Sequence, residues 1–244
     1  MLDFLKPHKQ SPVFSSIATD IHCHLIPGVD DGSTSLDETV NCLREMAKMG
    51  FKKIFFTPHF QARYPNQEED ILKRFELLKE HLRKLGDNDL PEIGGIAGEY
   101  RFDNLYEKHP EDKPLTLPGK KLLCELSLHT SEYSPIEVFK QFLDAGYSLI
   151  LAHPERYPYL NIHSKLISDI LNMGVKIQVN ILSLQGFYGV GAMEKGYDYM
   201  RNGIVDYIAT DTHNMRYVNA LTGIEHNKRL RKIIDNTTFL NNQL

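Results

Sequence analysis

The sequence predicts an α/β fold in which seven parallel strands close into a barrel with helices and loops carrying the chain back between them. Three observations point there. The chain has 244 residues, 41% hydrophobic and 25% charged, the composition of a folded protein long enough for one large domain. Short β-like apolar runs alternate with amphipathic stretches, and such repeats favour parallel strands joined by right-handed crossovers. An open doubly wound sheet would carry a glycine-rich phosphate-binding turn after an early strand, and no Gly-x-Gly-x-x-Gly or Gly-x-x-x-x-Gly-Lys-Ser/Thr occurs.

The first strand is expected at Ile17–Cys23. Ser35 then caps a helix with Glu38 three positions on, and Gly50 ends it after Leu43, Met46, Ala47 and Met49. Strand two is expected at Phe51–Thr57. From Asn66 to Leu85, Ile71, Leu72, Phe75, Leu78, Leu82 and Leu85 recur at helical spacing, with Gly86 as the stop. Strand three is expected at Glu92–Glu99, followed by an irregular stretch, Tyr100 to Gly119, whose prolines and charges suggest a short helix and a loop. Strand four (Lys121–Ser127), a helix from Pro135 to Ala145 closed by Gly146, and strand five (Tyr147–Ala152) come next. A helix from Ser164 to Met173 closed by Gly174 leads to strand six (Val175–Val179), and strand seven falls at Ile204–Thr210.

With 28 basic and 32 acidic side chains the net charge is −4, which offers no general field for a nucleic-acid backbone or an anionic membrane. No apolar run approaches the roughly 20 residues a membrane span needs, and residues 1–19 lack the apolar centre of a signal peptide, so a cytoplasmic location is expected. Cys23, Cys42 and Cys124 are widely spaced, as reduced thiols would be.

The chemistry is read from what the strands deliver. Their ends carry Asp20-Ile21-His22-Cys23-His24, Thr57-Pro58-His59, Gly98-Glu99, Cys124-Glu125, Ala152-His153-Pro154 and Asp211-Thr212-His213. In a parallel barrel these ends share one face, where active sites form. Alternation along a strand turns His22 and His24 to one side and Cys23 away into the core. Any one histidine at a strand end is most simply a hydrogen-bonded structural residue. Converging imidazoles and carboxylates are another matter, because the carboxylates would repel without cations among them. A metal site is therefore expected.

These segments closely resemble the polymerase-and-histidinol-phosphatase (PHP) superfamily, and within it the bacterial PHP-type protein-tyrosine phosphatases of capsule and exopolysaccharide systems. The likeness runs from about Thr19 to His213. It is carried by Asp-Ile-His-Cys-His-Leu-Ile-Pro-Gly-Val-Asp-Asp-Gly-Ser at 20–33, Thr-Pro-His at 57–59, Gly-Glu-Tyr at 98–100, Glu-Leu-Ser at 125–127, Ala-His-Pro-Glu-Arg at 152–156 and Asp-Thr-His-Asn at 211–214. The resemblance implies a distorted (β/α)7 barrel spanning 1–244 as one domain, with 1–18 as an N-terminal extension that is disordered, packed below the barrel or turned to a partner. It implies three divalent ions of Mn, Fe, Zn or Co: one on His22, His24, Glu99 and Asp211; one sharing Glu99 and adding Glu125 and His153; one on Asp30, His59 and His213.

Arg156 is the expected phosphate ligand, with a surface salt bridge to Glu155 or a neighbouring acid as its plainer role. The second arginine of such phosphatases commonly lies seven residues after the last-strand aspartate, where this chain has Val218, so Arg216 is the nearest candidate and Arg63 a weaker one. Asp30, His59 or a metal-bound water are candidates for the general acid, and Phe187-Tyr188-Gly189 either borders the site or packs its rings into the core. The expected activity is hydrolysis of phosphotyrosine on a protein, with a bacterial tyrosine kinase as partner. A small phosphate ester such as histidinol phosphate, or a role as a non-catalytic metal-stabilised module, are the alternatives. A cysteine nucleophile fails on spacing, since the residues six after the three cysteines are Val29, Lys48 and Thr130 rather than arginine.

Overall fold

The computed structural model describes residues 12–105, 108–129 and 134–244, so residues 1–11 of the expected extension, 106–107 of the irregular stretch and Thr130 lie outside the described residues. The strands are β1 (Thr19–Asp20), β2 (Lys53–Phe56), β3 (His59–Phe60), β4 (Glu92–Ile96), β5 (Glu99–Phe102), β6 (Lys121–Leu126), β7 (Ser148–Ala152), β8 (Lys176–Asn180) and β9 (Tyr207–Ala209). The helices between and after them are α1 (Leu36–Lys48), α2 (Glu68–Leu85), α3 (Ile136–Asp144), α4 (Lys165–Asn172), α5 (Val190–Arg201), α6 (Met215–Thr222) and α7 (Lys228–Asn236).

The seven expected strands are present, and two of them are broken into pieces. Pro58 has no N–H to give a ladder, and it separates β2 from β3. Gly98 separates β4 from β5 at a point where a Cβ would lie 2.5 Å from Tyr100 Cε2 and 2.7 Å from Phe60 Cδ2. The breaks divide the pairing into two wholly parallel sheets, ordered β1-β2-β4 and β3-β5-β6-β7-β8-β9. The stretch expected to hold a short helix and a loop from Tyr100 instead begins as β5, with a 3-10 turn at Pro110–Asp112 among its described residues.

The ring does not close as one ladder. Between β9 and β1 stand a lone parallel bridge of Cys23 with Thr212, the Asp211 N–H donating to His22 O (2.9 Å) and the Asp20 carboxylate accepting from Thr210 N–H (3.0 Å) and Oγ1–H (2.6 Å). This is the distortion of the barrel. Its interior is filled by Ile21, Phe55, Leu123, Ile150 and Tyr207, with Leu240 and Leu244 packed against them. Asn241 straddles the same seam at the other end, accepting from Ile208 N–H and donating to Thr19 O (2.9 Å) and Ile208 O (2.7 Å).

Local signals act as expected in α1. Ser35 Oγ accepts from the Glu38 N–H, while the Glu38 carboxylate turns back to Thr34 rather than to Ser35 itself. Gly50, at φ +107°, follows it. Three helices, α5, α6 and α7, were not anticipated from periodicity. In α5 the pattern is interrupted by Gly196, whose missing Cβ would meet Leu184 Cδ2 at 2.9 Å, so close packing on the layer beneath displaced the helical spacing of apolar residues. Of the extension, residues 12–18 pack below the barrel: Phe14 is fully buried and stacks on Phe51 at 4.7 Å, at the entry to β2.

Candidate metal centre

The ends of the strands meet over the upper rim of the barrel. β1 runs out into His22, Cys23 and His24, and Cys23 turns away from the histidines into the core shared with α1, as expected, its Sγ–H donating to Phe55 O. Burial pushes the Cys23 and Cys124 thiols well above the ordinary range and Cys42 up to about 12. The imidazoles on either side of Cys23 face one point. His22 Nε2 and His24 Nε2 lie 3.1 Å apart; each is within 3.4 Å of a Glu99 oxygen and of Asp211 Oδ1. A tetrahedral ion with ligands at about 2.0–2.1 Å has edges of about 3.3–3.4 Å, so His22, His24 and Asp211 already stand close to the separations such an ion would impose, with Glu99 meeting the two rings through different oxygens.

A second group continues from the first. His153 Nε2 is 3.0 Å from Glu99 Oε1 and 3.9 Å from Glu125 Oε2. His59 Nδ1, Glu99 Oε2 and Glu125 Oε1 lie within 3.4 Å around His59 Nδ1, all buried and none making a hydrogen bond. Unsatisfied buried donors and acceptors crowded together are what a cation would relieve. The third group is His24, His59 and His213.

Ring orientation is set from behind. His22 Nδ1 donates to Gln178 Oε1 (2.9 Å), His24 Nδ1 to Asp30 Oδ2 (2.9 Å) and His213 Nδ1 to Asp211 O (2.8 Å), so Nε2 is the atom each ring turns to the cluster. Burial opposes the charged form of His213 and takes it down to about 4, which keeps the ring neutral and fit to ligate. Glu99 is held well below the ordinary carboxylate range: burial works against the charge, and His22 and His59 outweigh it.

Asp30 and Asp31 divide the work differently from the expectation. Asp30 accepts from His24 Nδ1, from Gly32 N–H (2.9 Å) and from His59 N–H (3.0 Å), so both its oxygens are engaged behind the histidines. Burial alone would raise its pKa, but His24 and His59 bring it down to about 2. Asp31 Oδ1 stands in front, 3.5 Å from His59 Nε2 and 3.7 Å from His213 Nε2. The adjacent acids lie in a loop without a period, and nothing local in the sequence distinguishes which one faces inward.

Above the cluster lies a cavity of about 200 Å³ bordered by Asp31, His59, Glu125, Asp211 and His213 together with Arg63, Arg101, Arg156, Tyr64 and Tyr217. Arg156 Nη1 donates to Asp211 Oδ2 (2.9 Å), and its guanidinium lies 4.3 Å from the Tyr188 ring. Its partner is therefore not Glu155, which is fully buried and accepts from Asn180 N–H and Ser183 Oγ–H. Tyr188 borders the site through Arg156 and a bond to Asp211 (3.3 Å). Arg216 does not line the cavity: it is exposed at the start of α6, over the Phe187 ring at 5.2 Å. Arg101 was overlooked, although it follows Glu99 by two positions in one strand and so shares its face.

Barrel and cluster together define an α/β barrel whose rim is fit to hold divalent ions beneath a cationic mouth. The chain belongs to the capsular polysaccharide synthesis CpsB/CapC family, whose profile matches residues 18–222. The tyrosine-protein phosphatase CpsB of Streptococcus pneumoniae is 29% identical over 202 residues, 80% of this chain and 83% of its own length. The tyrosine-protein phosphatase YwqE of Bacillus subtilis is 25% identical over 201 residues, 81% of this chain and 78% of its own. A solved structure from the pair YwqE and CpsB, described as unique metal-dependent tyrosine phosphatases, superposes with a TM-score of 0.71 at 22% identity, covering 91% of this chain and 96% of its own. Among the described residues no helix is long and apolar enough to cross a membrane.

Proposed function

We propose that this chain is a metal-dependent protein-tyrosine phosphatase acting on a phosphotyrosine-bearing protein, with a bacterial tyrosine kinase of capsule or exopolysaccharide synthesis as its partner. The observation that carries the reading is that Arg156 and the imidazole–carboxylate cluster border one small cavity. The phosphatase names of the family's relatives support it.

The cluster suits three divalent ions, Mn, Fe, Zn or Co by its mixed nitrogen and oxygen donors. His22, His24 and Asp211 with Glu99 beside them would hold one, Glu99, Glu125 and His153 the second, and His59 and His213 with Asp31 the third. Such ions would supply Lewis-acid polarisation of the phosphoryl oxygens and an acidified water as nucleophile. Arg156 places a permanent charge where negative charge develops on the equatorial oxygens, and its bond to Asp211 fixes its direction. Asp30 keeps His24 turned toward the cluster. The aryl ring has walls to lie between: Tyr64 stacks on His59 (5.8 Å) and Tyr217 on His213 (4.9 Å), both at the cavity edge.

Asp31→Ala is expected to lower metal content by a single equivalent per chain, emptying only the His59–His213 end; elemental analysis of the variant at parental stoichiometry would remove Asp31 from the ligand set. For the substrate, kcat/KM on a phosphotyrosine peptide is expected to exceed that on a matched phosphoserine peptide and on histidinol phosphate by at least about tenfold. A phenolate, whose conjugate acid has a pKa near 10, leaves more readily than an alkoxide. Preference for histidinol phosphate would overturn the protein-tyrosine reading and leave the metal chemistry standing.

A further inference from the structure

We propose that Arg101 is a second phosphate-binding side chain, gripping the phosphoryl group from the β3–β5 side of the mouth while Arg156 holds it from the β7–β9 side; the proposal rests on the phosphatase reading above. The backbone puts it there. In the parallel pair β3–β5, His59 stands beside Glu99, and two residues further along each chain lie Gln61 and Arg101. The pleat turns both toward the mouth, one layer above the donors that ring the cluster. Arg101 also stands beside Glu125 in the pairing of β5 with β6.

The side chain is held in place by its neighbours and only loosely ion-paired. Only 19% of it is exposed. Nη1–H donates to Gln61 Oε1 at 2.5 Å, and both residues line the cavity that Arg156 also borders. Among the described residues the buried Nε–H makes no hydrogen bond, and its ion pairs with Asp103 at 3.5 Å and Glu125 at 3.9 Å are loose. A buried guanidinium donor left unmet is costly, and phosphate presents the paired oxygens that a guanidinium fork fits. Arg216, the nearest arginine in sequence to the expected second clamp, is outside the cavity, so Arg101 supplies the charge from another strand.

The test uses the metal-loaded protein and inorganic phosphate as the probe, measured by titration calorimetry, with metal content and kcat/KM on a phosphotyrosine peptide recorded in parallel. Arg101→Ala is expected to weaken phosphate about 10- to 100-fold at parental metal content, and Arg101→Lys, a point charge without the fork, to recover only part of that loss. Phosphate affinity within twofold of the parent in Arg101→Ala would overturn the proposal. If Arg101→Ala loses metal or does not fold, Arg101→Lys and Gln61→Ala decide: parental affinity in both overturns it, and weakening in Arg101→Lys supports it. A parent protein that binds phosphate through Arg101 yet hydrolyses no phosphomonoester would sink the phosphatase reading alone, leaving Arg101 an oxyanion ligand.

Discussion

Removing divalent ions with a chelator is expected to lower aryl-phosphate hydrolysis by at least about 10³-fold, and adding them back to restore it, because polarising a phosphoryl oxygen and acidifying water contribute several kcal/mol. Alkylating reagents should leave turnover unchanged. Their targets, Cys23, Cys42 and Cys124, are all buried with thiol pKa values raised by that burial, and none has an arginine six positions on. Elemental analysis alongside steady-state rates makes the comparison decisive. Full activity in a demonstrably metal-free sample would exclude the mechanism.

Glu99→Ala is expected to be the most damaging single substitution in the cluster, costing at least about 10³-fold in kcat and more than one equivalent of metal. Its Oε1 lies 3.2 Å from His22 Nε2 and 3.0 Å from His153 Nε2, and its Oε2 3.4 Å from His24 Nε2 and 2.9 Å from His59 Nδ1. One carboxylate therefore stands among four imidazoles from three different strand ends, and without it those rings lose their common counter-charge. His59→Ala should lose less, since His59 joins the edge of this group rather than its middle. Metal stoichiometry equal to the parent in Glu99→Ala would take Glu99 out of the bridging position.

Much of this was legible beforehand because it depends on local rules. Ser35 and Gly50 bound α1 through capping and positive φ, and period-two alternation separates Cys23 from His22 and His24. What escaped depends on contacts distant in sequence or on geometry without a period. The breaks at Pro58 and Gly98 come from a missing N–H and from crowding by Tyr100 and Phe60. The loop that presents Asp31 and withholds Asp30 has no repeating face to read. Arg216 was favoured for its place along the chain, while the cavity recruits Arg101 from β5, whose alternation with Glu99 was the overlooked signal.

The seam between β9 and β1 also governs when the site can exist. His22 and His24 lie near one end of the sequence, Asp211 and His213 near the other, and their meeting depends on Asp20 grasping Thr210 and Asn241 grasping Thr19. These pairings span 190 and 222 residues, and contacts of such separation form late and slowly. A nascent chain on the ribosome can fold β2 through β8 while Asp211, one of the four side chains grouped around His22 and His24, is still unsynthesised. Until β9 and the residues after it have been made the seam cannot form, and β1 stays an unpaired strand edge open to mispairing with another chain.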